Sequence, residues 1–491
     1  MHIKKLGYRT FIFIVFLLSF RSYAGYLSPD LNSDGAVHAL MAHDLKLPED
    51  LYYWGQNRLG SIVPILGHYL TKITSFSSIK SVSIVQFLFI CLGYWVLANL
   101  FRNFLSKVIF ALIWFFPTSI FSDLVRLAHP YAPQFCFIGI GIQLLLNFEA
   151  FSRNQNIYKN YFLIFISIIF IYASLWISDF SIIILMILNV TFLLYFLKEI
   201  TKINVKICYS LTLLVANLVG VFFIIYAKSN SSFYYSEYTG LNNTQETWFI
   251  VKKIIDNTKH NILFQNNNLF LSLWTILVFV FTTFIIYIYV FKKINSQKIP
   301  KVFYIIMMNA ILGLFIIILS KWVFINQGEP RYFIPIYILI WLSILVLIES
   351  TEGVIQKKMY GITLAIAIIS CLTLPSYVFS LEKAEPKIQQ MQEIKTLGQV
   401  GIIGDYWTSY LIGAINPELL AVTPHDKATV RCLKCVDRVI ESEMIYLVKE
   451  QWLENFPNQI KQFNRDLEKV SSPINLGGYT LAAYKKKNKT N

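Results

Sequence analysis

The hydrophobic positions of this chain come in long unbroken blocks. Tyr161–Ile177, Leu269–Val290 and Val302–Ser320 are long apolar runs that carry no charge. A helix needs about 20 such residues to cross the hydrocarbon core of a bilayer. The blocks predict spans near 8–26, 83–100, 108–121, 135–149, 161–178, 180–197, 208–227, 269–291, 302–323, 332–349 and 359–378. The expected class is an all-α polytopic membrane protein with about eleven transmembrane helices. Three polar intervals are long: 26–82, 228–268 (with aromatics at Phe233, Tyr234, Tyr235, Tyr238 and Trp248) and the tail from about Leu381. In the tail the pattern shortens to apolar runs at Val400–Ile403, Leu419–Val422, Met444–Val448 and Tyr479–Tyr484, with helical periodicity across Glu450–Val470. Strands mixed with a helix predict a small α/β domain over 381–491, after a transmembrane domain over 1–380.

The basic residues give this arrangement a direction. Arg102 and Lys107 follow the second span, Arg153 and Lys159 the fourth, and Lys198, Lys202 and Lys206 the sixth. Lys292, Lys293, Lys298 and Lys301 follow the eighth, and Lys357 and Lys358 the tenth. All fall on the side of Lys4, Lys5 and Arg9, and short loops rich in Lys and Arg mark the cytoplasmic side. The N-terminus is therefore expected inside, with the three long segments and the tail domain outside a cell membrane, in a bacterium the inner one. Phe11–Phe20 followed by Ser22-Tyr23-Ala24-Gly25 also fits a cleaved signal peptide, and either reading leaves the chain outside from Tyr26 onward.

Composition adds exclusions. Of 491 residues only 14% are charged and 56% are hydrophobic, against about a quarter charged in soluble proteins. The net charge is +15, but the basic residues fall mostly in short loops between apolar runs, with no basic stripe interleaved with exposed aromatics, so nucleic acid is not an expected partner. Cys91, Cys136, Cys208 and Cys371 lie in spans, while Cys432 and Cys435 form a CxxC in the tail. One CxxC is half a zinc site, and thioredoxin-like context is missing. A local disulfide and two inert thiols both remain open. No internal repeat of the kind transporters carry is present.

Candidate chemistry concentrates in the first long polar segment. It contains Ser33-Asp34-Gly35-Ala36-Val37 with Leu40-Met41-Ala42, then Tyr52-Tyr53-Trp54-Gly55-Gln56 and Gly60-Ser61. Asp34 reads as the N-cap of a helix whose apolar face, Ala36, Val37, Leu40 and Met41, would lie on the membrane surface. Ile62–Leu70 reads as a second interfacial helix. These motifs resemble the first outer loop of GT-C-type membrane glycosyltransferases, in the protein-mannosyltransferase and aminoarabinose-transferase-like group. Fainter likeness runs through Phe116-Pro117, Ala128-His129-Pro130-Tyr131, Ser174–Ser178, Gly328-Glu329-Pro330-Arg331-Tyr332 and Gly404–Tyr410.

The resemblance implies a polyprenyl-phosphate-linked sugar as donor and an acidic catalytic residue in the first outer loop, at Asp34. It leaves a lipid, glycan or protein as acceptor. Many relatives have a second acid directly after the aspartate. Gly35 stands there in this chain, which speaks against a paired-acid site for a divalent cation. No metal ligand and no cofactor is assigned. Transfer to a hydroxyl needs a general base and fixed positive charge for the phosphate. The candidates for the phosphate are Arg58, Arg331, Arg126 and His129. Tyr53, Trp54, Gln56 and Asp44 are candidates for sugar or acceptor contact, although an aromatic belt accounts for the rings equally well. The rival readings are an O-antigen polymerase or ligase, a lipid or glycan transporter, and a non-catalytic assembly protein.

Overall fold

The computed structural model describes residues 2–151, 157–200, 202–232, 240–265, 268–291, 299–380, 382 and 384–487. Arg153, Phe233, Tyr234, Tyr235, Tyr238, Lys292, Lys293, Lys298 and Leu381 lie outside the described residues. Nine helices among the described residues are long and apolar enough to cross a membrane, from Ser78–Ala98 to Gly353–Leu372. Two more occupy the remaining expected positions, His2–Tyr23 and Phe104–Phe115. The second of these has 12 residues, which at 1.5 Å per residue reaches only part of the way through a bilayer. The expected third span, 108–121, is thus a shorter helix followed by a 3-10 turn over Ser119–Leu124. The helix expected over 302–323 is likewise interrupted: Lys301–Leu319 stops, and a five-residue helix Lys321–Ile325 follows.

Hydrogen bonds sort the connections to the two ends of the bundle. At one end the Tyr8 and Tyr94 hydroxyls meet at 3.0 Å, and Glu349 accepts the backbone N–H groups of Arg102 and Asn103, both at 2.9 Å. At the other, Trp176 Nε1–H donates to Leu51 O at 2.9 Å and Lys387 N–H donates to Ser28 O at 3.0 Å. This second end carries the first polar segment and the tail.

The tail folds into one mixed sheet. Its strands are β1 (Val400–Gly404), β2 (Leu420–Pro424), β3 (Ile445–Val448), β4 (Gln459–Gln462), β5 (Arg465–Lys469), β6 (Ile474–Leu476) and β7 (Tyr479–Lys486). The order is β2-β1-β3-β7-β5-β4, with β6 against β7. β1 pairs in parallel with β2 and β3, and helices Tyr406–Ile415 and Leu433–Glu441 make the crossovers that parallel strands require. β1 is buried at all five positions, as a parallel strand covered on both faces must be. The helix expected across Glu450–Val470 does not form. β4 and β5 occupy it, paired in antiparallel register from Gln459–Glu468 to Gln462–Arg465. Apolar Ile460, Phe463 and Leu467 fall three and four residues apart across the turn between the strands, a spacing that imitates a helical period. The Cys432–Cys435 pair is a disulfide, with Cys432 as N-cap of the second crossover helix.

The first polar segment forms helices Ser33–His43 and Ile62–Ile73. The earlier helix is not amphipathic on a lipid surface: Ser33 and Gly35 through Ala42 are all buried. Ala36, Val37, Leu40 and Met41 share a hydrophobic core with Tyr410, Leu411, Ile412 and Val422 of the strand region. Burying a Leu or Val side chain contributes about 1.5–3 kcal/mol. The apolar face predicted to meet lipid therefore fastens the sheet to the bundle.

Candidate active site

The local capping decides where Asp34 points. Asn32, not Asp34, is the N-cap, and its side chain accepts the Gly35 N–H at 3.0 Å. Asp34 falls in the first turn, where its negative charge suits the helix dipole and its carboxylate is released from capping duty. Its Oδ1 accepts the Tyr53 hydroxyl at 3.4 Å and, at short range, the Tyr406 hydroxyl. Tyr53 comes from the same polar segment, whereas Tyr406 opens the helix after β1, which Asp405 caps through the Thr408 N–H at 2.8 Å. Burial pushes both phenols above their ordinary pKa, and the neighbouring Asp34 pushes them further. Both remain protonated donors near neutral pH. The Arg431 guanidinium lies 5.8 Å from the Tyr53 ring centre and 5.9 Å from that of Tyr406.

His38 stands one turn beyond Asp34 on the same helix face. It is 4% exposed, and its ring centre is 5.6 Å from that of Tyr53. Among the described residues neither ring nitrogen has a hydrogen-bond partner. Burial, with His129 nearby, holds its pKa down to about 3, so the imidazole is neutral.

A second cluster borders this one. Gly35 packs against the loop carrying Arg126 and His129: a Cβ there would meet Leu31 at 2.9 Å and Leu127 at 3.4 Å. Arg126 bonds Asp30 at 3.1 Å and lies 3.8 Å from Asp123, which also holds His129 at 3.3 Å. Tyr377 donates to the same Asp30 oxygen at 2.6 Å. Ala128, between the two basic residues, has φ +74°, a left-handed backbone that costs an L residue about 1–3 kcal/mol. Further on, Tyr131 donates to Arg331 O at 2.8 Å, and Arg331 pairs with Glu329 at 2.7 Å. Arg58 donates from Nε to Gln56 at 3.2 Å and covers the Trp322 ring at 3.3 Å. This joins the first segment to the stretch leading to Arg331. Gly60 is obligatory in that segment, because a Cβ would stand 2.6 Å from Trp176 O.

Two candidates are committed elsewhere. Trp54 is 3% exposed, with its indole N–H donated to Asp50 at 2.8 Å and Lys434 Nζ 4.9 Å over its ring. Lys434 also reaches Asp50 at 3.4 Å, and Arg438 pairs with Asp44. Trp54 and Asp44 thus clamp the second crossover helix to the first segment. Among the described residues no three His, Cys, Asp or Glu side chains converge as metal ligands.

No family model matches the sequence, and no curated protein matches it. The fold does have solved counterparts. ArnT from Cupriavidus metallidurans, determined bound to undecaprenyl phosphate, aligns over 97% of both chains at 8% identity with a TM-score of 0.54. The chain has the GT-C fold. The archaeal oligosaccharyltransferase AglB from Archaeoglobus fulgidus, in complex with an inhibitory peptide and a dolichol-phosphate, aligns over 92% of this chain and 70% of its own. Its TM-score is 0.44 at 11% identity.

Within this GT-C fold, the sequence missed Tyr406, Arg431, Asp123 and His38 as neighbours of Asp34 and of the basic cluster. Gly404–Tyr410 carries a trace of family likeness, yet nothing local ties Tyr406 to a carboxylate 372 positions away. His38 had one legible signal, its i+4 spacing from Asp34.

Proposed function

We propose that this chain is a membrane glycosyltransferase that moves a sugar from a polyprenyl-phosphate donor to an acceptor hydroxyl, with Asp34 as general base. The observation that carries the reading is the Asp34 carboxylate. It is freed from capping by Asn32, it accepts hydroxyl groups, and it lies beside a cluster of arginines at one end of a GT-C bundle. An acceptor O–H placed where those phenols sit is within range to give its proton to Asp34. Its oxygen bonds to the anomeric carbon as the bond from that carbon to the phosphate oxygen breaks, and the polyprenyl phosphate leaves with the electron pair. Arg126 and Arg331, now paired with carboxylates, and Arg58 supply positive charge for the phosphate, with His129 beside Arg126. No step requires a metal. Tyr53 and Gln56 border the place where the sugar would lie.

We assign this end of the bundle to the outside of the membrane, because the basic short loops belong to the opposite end. A disulfide in the strand region agrees with an oxidising compartment. The test is deletion of the gene followed by mass spectrometry of surface glycans and lipids. Loss of one sugar from one envelope component supports the reading. Unchanged glycans with altered uptake or export would replace it with transport.

A further inference from the structure

Asp34 is occupied in this structure, and by a group from the far end of the sequence. Its two phenol partners differ in kind. Tyr53 is 2% exposed, lies beside His38 and belongs to the segment that carries Asp34. Tyr406 is less deeply set and belongs to the strand region, and the next residue, Trp407, is 53% exposed. Tyr406 makes the shorter of the two contacts, and its hydroxyl stands where a general base must meet the proton it abstracts. The helix bearing it is held firmly: Tyr410, Leu411 and Ile412 share the core of the Asp34 helix, and Tyr410 Oη accepts the Arg431 N–H at 2.8 Å. Vacating Asp34 therefore takes a side-chain rotation of Tyr406, not the lifting of a domain.

We propose that Tyr406 is a built-in stand-in for the acceptor hydroxyl. It occupies Asp34 in the resting enzyme, and an incoming acceptor hydroxyl displaces it. The inference rests on the general-base reading of Asp34 and adds a gate to it. A phenol is a weak enough acid to share a hydrogen bond with a carboxylate without giving up its proton, so the base is shielded and not consumed. The arriving hydroxyl exchanges one donor for another on Oδ1. The only proton transferred is the acceptor's own, when its oxygen bonds to the anomeric carbon. Tyr406 is thus a positioning residue, and Arg431, beside both rings, steadies the charge while the donors exchange.

The test uses the full-length protein in detergent micelles. A water-soluble carbodiimide with glycine ethyl ester converts accessible carboxyls to amides, and peptide mass spectrometry reads the rate at Asp34. Loss of a hydrogen bond to a charged group predicts labelling about tenfold faster in Tyr406→Phe than in wild type. Tyr53→Phe, which removes the longer contact, should give a clearly smaller rise. Equal Asp34 labelling in wild type and Tyr406→Phe, at equal melting temperature, overturns the proposal. So does a larger effect from Tyr53→Phe, which also serves as the deciding comparison should Tyr406→Phe unfold. In cells, Tyr406→Phe at matched expression should still form product, and loss of product would make the phenol a requirement for transfer, not a gate. If Asp34→Asn leaves glycans unchanged while the labelling result holds, the enzymatic reading fails and the Tyr406 shield on Asp34 survives.

Discussion

Lowering the pH from 7 to 5 should loosen the first polar segment through one residue, His38. Its pKa is depressed from the ordinary 6.5 to about 3 by burial. A depressed value means that the folded state refuses a proton which the unfolded state accepts. The stabilisation by His38 is full above about pH 6.5 and drains away as the pH falls towards about 3. Between pH 7 and pH 5 the unfolded imidazole becomes almost wholly protonated, while the folded one does not. At 1.36 kcal/mol per pH unit the loss over that interval is about 2 kcal/mol. Other histidines and carboxylates add their own slopes, so the informative quantity is a difference. Thermal unfolding of wild type and His38→Gln would be followed in the same detergent at both pH values. The advantage of wild type at pH 7 should shrink by about 2 kcal/mol at pH 5. Parallel pH dependence of the two proteins would refute a neutral buried His38.

Asp50→Ala should cost about 2–3 kcal/mol, since it strips an acceptor from the Trp54 indole and the Lys46 N–H and a partner from Lys434. Limited proteolysis should then release the strand region faster than in wild type, and an unchanged digestion rate would count against the clamp. Gly60→Ala drives a methyl group into Trp176 O and should destabilise by about 1–3 kcal/mol in a thermal melt.

Much of the bundle was readable because a membrane demands uninterrupted apolar runs, and Leu269–Phe291 or Lys301–Leu319 can hardly be read otherwise. The strands Val400–Gly404 and Leu420–Pro424 were legible for a similar reason, as short apolar runs ended by Gly and Pro. Glu450–Val470 failed because an exposed antiparallel pair has one apolar contact per few residues, and that spacing imitates a helix. At the site, the polar segment with Asp34 was visible, but the identity of the cap was not. Asn32 and Asp34 are both good caps, and Asn32 lies close enough to serve Gly35. The surface expected to meet lipid meets the helix Tyr406–Ile415 instead, because hydrophobic faces carry no label for their partner. Tyr406 and Arg431 reach the site only through long-range packing.

The most direct measurement is the fate of lipid-linked sugar in cells whose only copy of the gene carries Asp34→Asn. With the variant present at wild-type level, polyprenyl-phosphate-linked sugar should accumulate and the glycosylated envelope component should vanish, both seen by mass spectrometry. Normal product with no accumulated donor would contradict Asp34 as the base.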